Sequence, residues 1–225
     1  PYFAEMNGVH EMFGNDTKLA NTIKSQIEAI RFARNAEMPI VFIEYECDGC
    51  DAINAALMDA VDGYDDFKVF KKSSDGVFDD DNKYKAELLE HLDSRNIDNI
   101  IMTGANGGAC VKDSILGAIN YGYDVLALNP AIADFNFMNF ITPYSFEQYW
   151  NGFKDEVSKC ANGCSFQEYE SLEALRIAVD RIASLPYAVY KGMNQQNRAT
   201  PVIKSAPGAP ASTYGSSGGT SLNAE

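Results

Sequence analysis

Apolar runs of two kinds alternate along this chain, and that alternation limits the fold more than any other feature. Leu19, Ile23, Ile27 and Ile30 recur at spacings of four, four and three, which predicts a helix capped by Asn15 or Asp16. The continuous run from Pro39 through Ile-Val-Phe-Ile-Glu to Tyr45 predicts a buried parallel strand, and Asp51 to Val61 predicts a short helix. A polar, acidic loop carrying Lys68, Lys71 and Lys72 is expected next. Tyr84, Leu88, Leu89 and Leu92 form a second helical stripe, and Asn99-Ile-Ile-Met-Thr103 a second strand entering Gly104. Val111, Ile115, Ala118 and Ile119 face one side of a further helix, Gly122 closes it, and Asp124 to Leu128 forms a third strand. Strands and helices alternating at this spacing require right-handed crossovers. The expected fold is therefore α/β: a three-layer Rossmann-like arrangement with a central, mostly parallel sheet flanked by helices. Its functional groups belong at the carboxyl ends of the strands.

Later segments depart from this pattern. Residues 135–153 are rich in aromatics, among them Phe135, Phe137, Phe140, Tyr144, Trp150 and Phe153, and core or interface packing is their ordinary use. Leu172, Leu175, Val179 and Ile182 predict a last helix that covers a sheet edge or meets another subunit. From Ala199 onward Gly, Ala, Ser, Thr and Pro dominate, a composition that builds no core of its own. The expected division is a folded domain over residues 1–186 and an extended or flexible tail over 187–225.

Charge and composition remove whole classes of function. With 18 Lys and Arg against 32 Asp and Glu, the formal net charge of −14 repels phosphate backbones and anionic lipid surfaces, so nucleic acid is not an expected partner. No apolar run approaches the roughly 18 residues of a membrane helix, so no membrane partner is expected. No basic, apolar and small-residue signal pattern opens the chain, and the expected compartment is the cytoplasm. The acidic positions Asp59, Asp62, Asp65 and Asp66, then Asp79 to Asp81, lack the EF-hand spacing and read as a solvated face. Five cysteines comprise Cys47 and Cys50, Cys160 and Cys164, and a solitary Cys110. The long separation of the two pairs makes a shared zinc site a weak signal, and unlinked thiols are the default.

The stretch Thr103-Gly-Ala-Asn-Gly-Gly-Ala-Cys110-Val-Lys-Asp-Ser-Ile places a cysteine where a helix begins after a glycine-rich turn. A thiol there feels the positive end of the helix dipole, and free backbone N–H groups of the turn can hold an oxyanion. Taken alone, such a cysteine is more often a small core residue. The stretch, with Gly122-Tyr-Asp-Val125 and Asp134 beyond it, resembles the nucleophile segment of the isochorismatase-like cysteine hydrolases. Lys72-Ser-Ser-Asp-Gly-Val-Phe78 is similar to that family's lysine motif, and Ala4-Glu-Met-Asn-Gly-Val9 looks like a shortened form of its N-terminal acidic segment.

The resemblance implies Cys110 as nucleophile, Lys72 as the catalytic lysine and Glu5 as the carboxylate. It also implies an oxyanion hole from the backbone of Asn106 and Cys110, and substrate contacts from Tyr45 and Phe78. The implied reaction is cleavage of a C–N bond in a small amide or carbamoyl compound through a thioester-like intermediate, with no cofactor or metal, by a homo-oligomer. Nicotinamidase-like members carry an Asp-x-His-x-x-x-His segment, whereas Glu44-Tyr-Glu-Cys-Asp-Gly-Cys50 holds no histidine. The chain's two histidines, His10 and His91, are expected in a loop and on a helix surface. Three other readings stand beside this one: a binding or assembly protein of the same fold, a vinyl-ether hydrolase, and a redox protein using Cys47 and Cys50.

Overall fold

The computed structural model describes residues 16–46, 53–105, 107–133, 153 and 166–184. Expectations for Glu5, His10, Asn106, the two cysteine pairs and the tail lie outside these residues. Five strands are described: β1 (Ile40–Tyr45), β2 (Phe67–Lys72), β3 (Asn99–Ala105), β4 (Asp124–Ala133) and β5 (Phe166–Tyr169). The helices are α1 (Asp16–Asn35), α2 (Ala55–Val61), α3 (Lys85–Ser94), α4 (Lys112–Asn120) and α5 (Leu172–Ser184), with a π-helical turn over Gly107–Val111 leading into α4. Every pairing among the described strands is parallel, as the crossovers require. Among the described residues β1 pairs with β2, and β3, β4 and β5 form a three-stranded sheet in that order.

Alternation along the strands divides the apolar residues between two faces. Val41, Ile43, Phe70, Ile100, Met102, Val125 and Ala127 join one cluster with Leu88 and Leu92 of α3 and Ile115, Ala118 and Ile119 of α4. That cluster spans both sheets. On the opposite face Ile40, Phe42 and Phe67 pack with Ile23, Ile27 and Ile30 of α1 and Leu57, Ala60 and Val61 of α2. Ile101, Leu126 and Leu128 meet Leu175 and Val179 of α5 there. The result is helix, sheet, helix: the expected three layers. Helix α1 also reaches β4, where the Gln26 side-chain amide donates to the Ala131 carbonyl at 2.9 Å. Ile115, with none of its surface exposed, illustrates the driving force, since burying such a side chain contributes roughly 1.5–3 kcal/mol.

The segment expected as a polar loop is strand β2, in register with β1 from Ile40 opposite Phe67 to Tyr45 opposite Lys72. Its polar look has a physical cause. Lys68, Val69 and Lys71 are exposed while Phe67 and Phe70 supply the apolar contacts, and lysines are common on strands that pair on one side. Helix α2 begins later than expected, at Ala55, because the Asn54 side chain caps it by accepting from the Ala56 amide at 2.8 Å. Strand β4 runs on to Ala133 past a register shift between Met102 and Gly104, and β5 had no clear sequence signal. His91 is on α3 as expected and is half-buried there, its ring 5.2 Å from that of Phe70, and burial pushes its imidazole below the usual range. Gly122 closes α4 as expected, at φ 84°, a conformation that favours glycine. Of the aromatic stretch, Phe153 is described, buried against Phe166 with ring centroids 5.3 Å apart.

Gly117 on α4 shows how tightly the core closes, because a Cβ there would lie 2.5 Å from Cβ of Phe78. Gly117→Ala is therefore expected to destabilise the chain by about 1–3 kcal/mol through overpacking, as read from urea unfolding. An unchanged midpoint would show that the two segments separate freely.

Candidate active site

Parallel strands end on the same side of a sheet, so β1 and β2 bring Tyr45 and Lys72 side by side, and the approach of Cys110 to Asp75 brings the Gly107–Val111 turn after β3 to the same place. Cys110 lies in that turn and is partly exposed. Gly107 and Gly108 are buried, and the absence of side chains lets the turn pass close to the sheet. Gly104, near the end of β3, adopts φ 140°, which only glycine takes without strain.

Lys72 ends β2 and is 6% exposed, an unusual place for an ammonium. Its Nζ donates a short hydrogen bond to the Asp75 carbonyl and lies 5.1 Å from the ring centre of Tyr45, its register partner on β1. The chain then turns so that the Asp75 carboxylate faces the thiol, with Oδ1 3.7 Å from Cys110 Sγ. Lysine, carboxylate and thiol thus meet through one residue.

A dense set of bonds holds this turn. The Gly76 amide donates to the Asp79 carboxylate at 2.7 Å, the Ser74 hydroxyl donates to the Gly76 carbonyl at 3.0 Å, and the Val77 amide donates to the Ser114 hydroxyl at 3.2 Å. Ser114 belongs to α4, the helix that follows Cys110, so the turn is clamped to the element that carries the thiol. Asn82 closes the other end, accepting from the Ser73 amide at 3.1 Å and donating to the Val77 carbonyl at 2.5 Å. On the β1 side, Glu46 pairs with Lys83 and accepts from the Tyr84 hydroxyl, which ties the residue after Tyr45 to the start of α3.

Electrostatics around the cluster follow burial and like charge. Burial pushes the Asp113 carboxyl above its usual range, Lys112 at 3.2 Å opposes that, and Asp75 adds to it. Burial likewise raises Asp79 against the pull of the Gly76 amide, with Asp113 and Asp81 adding and Lys72 opposing. The Tyr45 phenol is raised by partial burial and then by Asp75, Cys110 and Asp81. Among the described residues, no three His, Cys, Asp or Glu side chains gather as a metal-binding set.

Of the residues proposed from sequence, Cys110, Lys72 and Tyr45 come together, while Glu5 and Asn106 lie outside the described residues. Phe78 differs from its expected role as a substrate contact: it is 4% exposed, its ring packs 5.8 Å from Tyr121 and 5.9 Å from Tyr123, and it lies against Gly117. That placement makes it the wedge fastening the turn to α4. Asp75 was not singled out from sequence. Its signal was its position inside the lysine motif, three residues after Lys72, where a Ser-Ser-Asp-Gly run marks a turn.

The isochorismatase domain model matches residues 6–142 of this chain. No curated protein matches it by sequence. Among solved structures, the N-carbamoylsarcosine amidase of Thermoplasma acidophilum is 14% identical, with a TM-score of 0.52 over 73% of this chain and 93% of that one. An isochorismatase-like hydrolase from Alkaliphilus metalliredigens is 14% identical, with a TM-score of 0.53 over 78% and 90%. The nicotinamidase of Bacillus subtilis is 13% identical, with a TM-score of 0.51 over 66% and 85%. At these identities the likeness shows the shared α/β fold.

Asp113 yields a pH prediction with a definite sign. A carboxyl raised in the folded state stabilises the fold most when protonated, and that contribution is lost as pH rises through its folded value. Asp113→Asn should therefore gain stability relative to the unsubstituted chain on going from about pH 3 to about pH 7. Paired thermal melts at the two pH values test this, and a relative loss at neutral pH would contradict the burial effect.

Proposed function

Because the chain belongs to the isochorismatase family of hydrolases, we propose that it cleaves a C–N bond of a small amide or carbamoyl compound with Cys110 as the nucleophile. The observation that carries this reading is the meeting of a partly exposed thiol, a carboxylate and a buried lysine at the carboxyl edge of parallel strands. A thiol near its free pKa is mostly protonated at neutral pH, so it needs a group to remove its proton and a positive charge to favour the anion. The Lys72 ammonium supplies that charge from a poorly solvated position, where it acts more strongly than in water.

The chemistry follows from those parts. Cys110 sulfur attacks the carbonyl carbon, and the negative charge that develops on oxygen is received by backbone N–H groups of the turn, those of Cys110 and Asn106 by family resemblance. Collapse expels ammonia or an amine and leaves a thioester, which water hydrolyses to restore the thiol. Tyr45, 42% exposed beside Lys72, offers an aromatic surface against which a small planar substrate can lie. Phe78 supports the site from the core rather than from its rim. The amidase name borne by the Thermoplasma neighbour agrees with a C–N bond as the target.

Cys110→Ala is expected to fold normally, because the side chain is small and partly exposed, and to lose at least about a thousandfold of the hydrolytic rate. Lys72→Met should lose roughly a hundredfold. Ammonia release from a panel of small amides and carbamoyl compounds is the measurement. Ammonia release that survives Cys110→Ala would overturn the cysteine mechanism.

A further inference from the structure

We propose that Asp75 is the carboxylate that takes the proton of the Cys110 thiol in this chain, an assignment that rests on the cysteine-hydrolase reading above. Its Oδ1 lies 3.7 Å from Sγ, within reach of a sulfur donor. The other nearby acids are engaged differently: Asp79 accepts from the Gly76 amide, and Asp113 pairs with Lys112. Sequence resemblance had given this duty to Glu5, in a segment whose form is shortened.

A carboxylate beside a thiol would ordinarily oppose a second negative charge. Here Lys72 is bonded to the backbone carbonyl of the same residue, so a positive charge stands next to the unit that the Asp75 carboxylate and the thiol form. Moving the proton from sulfur to Asp75 shifts the negative charge within that unit and leaves its net charge unchanged. Lys72 stays against the Asp75 backbone, and with the Asp75 carboxyl neutral the repulsion between two anions does not arise. Asp75 is exposed, so it can also hand the proton onward, which the buried lysine is badly placed to do.

The steps balance. The S–H bond breaks as its proton moves to Asp75 Oδ1, and sulfur forms a bond to the substrate carbonyl carbon while the π pair moves to oxygen. Reformation of the carbonyl breaks the C–N bond, and the Asp75 proton goes to the departing nitrogen. Water then gives a proton to Asp75 as its oxygen adds to the thioester, the C–S bond breaks, and sulfur takes the proton back. Amide and water become acid and amine.

The charged and titratable groups around this pair are Tyr45 from β1, Lys72 from β2, Asp79 and Asp81 from the following turn, and Lys112 and Asp113 from α4. Any of these carboxyls can shape a pH profile, so the test must assign the acid limb to Asp75. Iodoacetamide is the probe, applied to the full chain from about pH 4 to about pH 10, with alkylation of Cys110 followed by peptide mass spectrometry.

For the unsubstituted chain the expected profile has a plateau between the carboxylate and thiol ranges and falls below it with uptake of one proton. Asp75→Asn keeps the shape and the carbonyl that receives Lys72 and removes the base. It should abolish the plateau, so that at about pH 6 Cys110 reacts on the order of a hundredfold more slowly. Asp75→Ser carries the same expectation, and circular dichroism identifies which variants are folded. A plateau that persists in a folded variant overturns the role of Asp75 and leaves the cysteine mechanism standing. A single ionisation near the free thiol value of about 8.5 in the unsubstituted chain, at an ordinary rate, overturns both.

Discussion

A buried ammonium organises this molecule. Lys72 ends a strand with 6% of its surface exposed, and a charge in that position is costly unless its environment compensates. Its compensation comes from three places: the Asp75 carbonyl, the face of the Tyr45 ring, and the negative charges of Asp79 and Asp113. These groups lie on β1, in the turn after β2, which carries both Asp75 and Asp79, and at the start of α4. The lysine therefore fixes the relative positions of β1, the turn after β2 and the start of α4, and the thiol is carried into place by the last of these.

The core supports the same geometry from beneath. One apolar cluster runs under both parallel sheets and includes Phe70 of β2, Phe78 of the turn, and Val111, Ile115 and Ala118 leading away from the thiol. Phe78 fits over Gly117 so closely that a methyl group would collide with it. The hydrogen bond from the Val77 amide to Ser114 adds a directional constraint at the same junction. Apolar packing sets how near the turn and helix approach, and the polar bonds set their rotation, so the carboxylate of Asp75 faces sulfur.

Much of the architecture could be read along the chain because it depends on local periodicity. The stripes of α1, α3, α4 and α5 each record one buried face and the continuous runs of β1, β3 and β4 record two, and alternating them leaves little choice but parallel strands. Strand β2 escaped because Lys68, Val69 and Lys71 are exposed, Lys72 is a buried charge, and only Phe67 and Phe70 supply apolar contacts. Strand β5, four residues long, had too few positions to show a period. The partial cover of His91 was not legible for a related reason: a polar residue on a helix reads as surface, and the approach of Phe70 from a neighbouring strand is a tertiary contact.

The sequence by itself determined the α/β class, the cysteine after a glycine-rich turn, the lysine motif, and the family to which both belong, because these are matters of spacing within short segments. The tertiary structure decided which groups share a space. Tyr45 and Lys72 meet through the parallel register of β1 and β2, and Asp75 reaches Cys110 across 35 positions of chain because the crossover through α3 brings the turn after β3 back to the turn after β2. It also sent Phe78 inward, where its motif alone had suggested a substrate contact. Contacts of this kind arise from the summed packing of distant segments, and no local pattern of residue types encodes them.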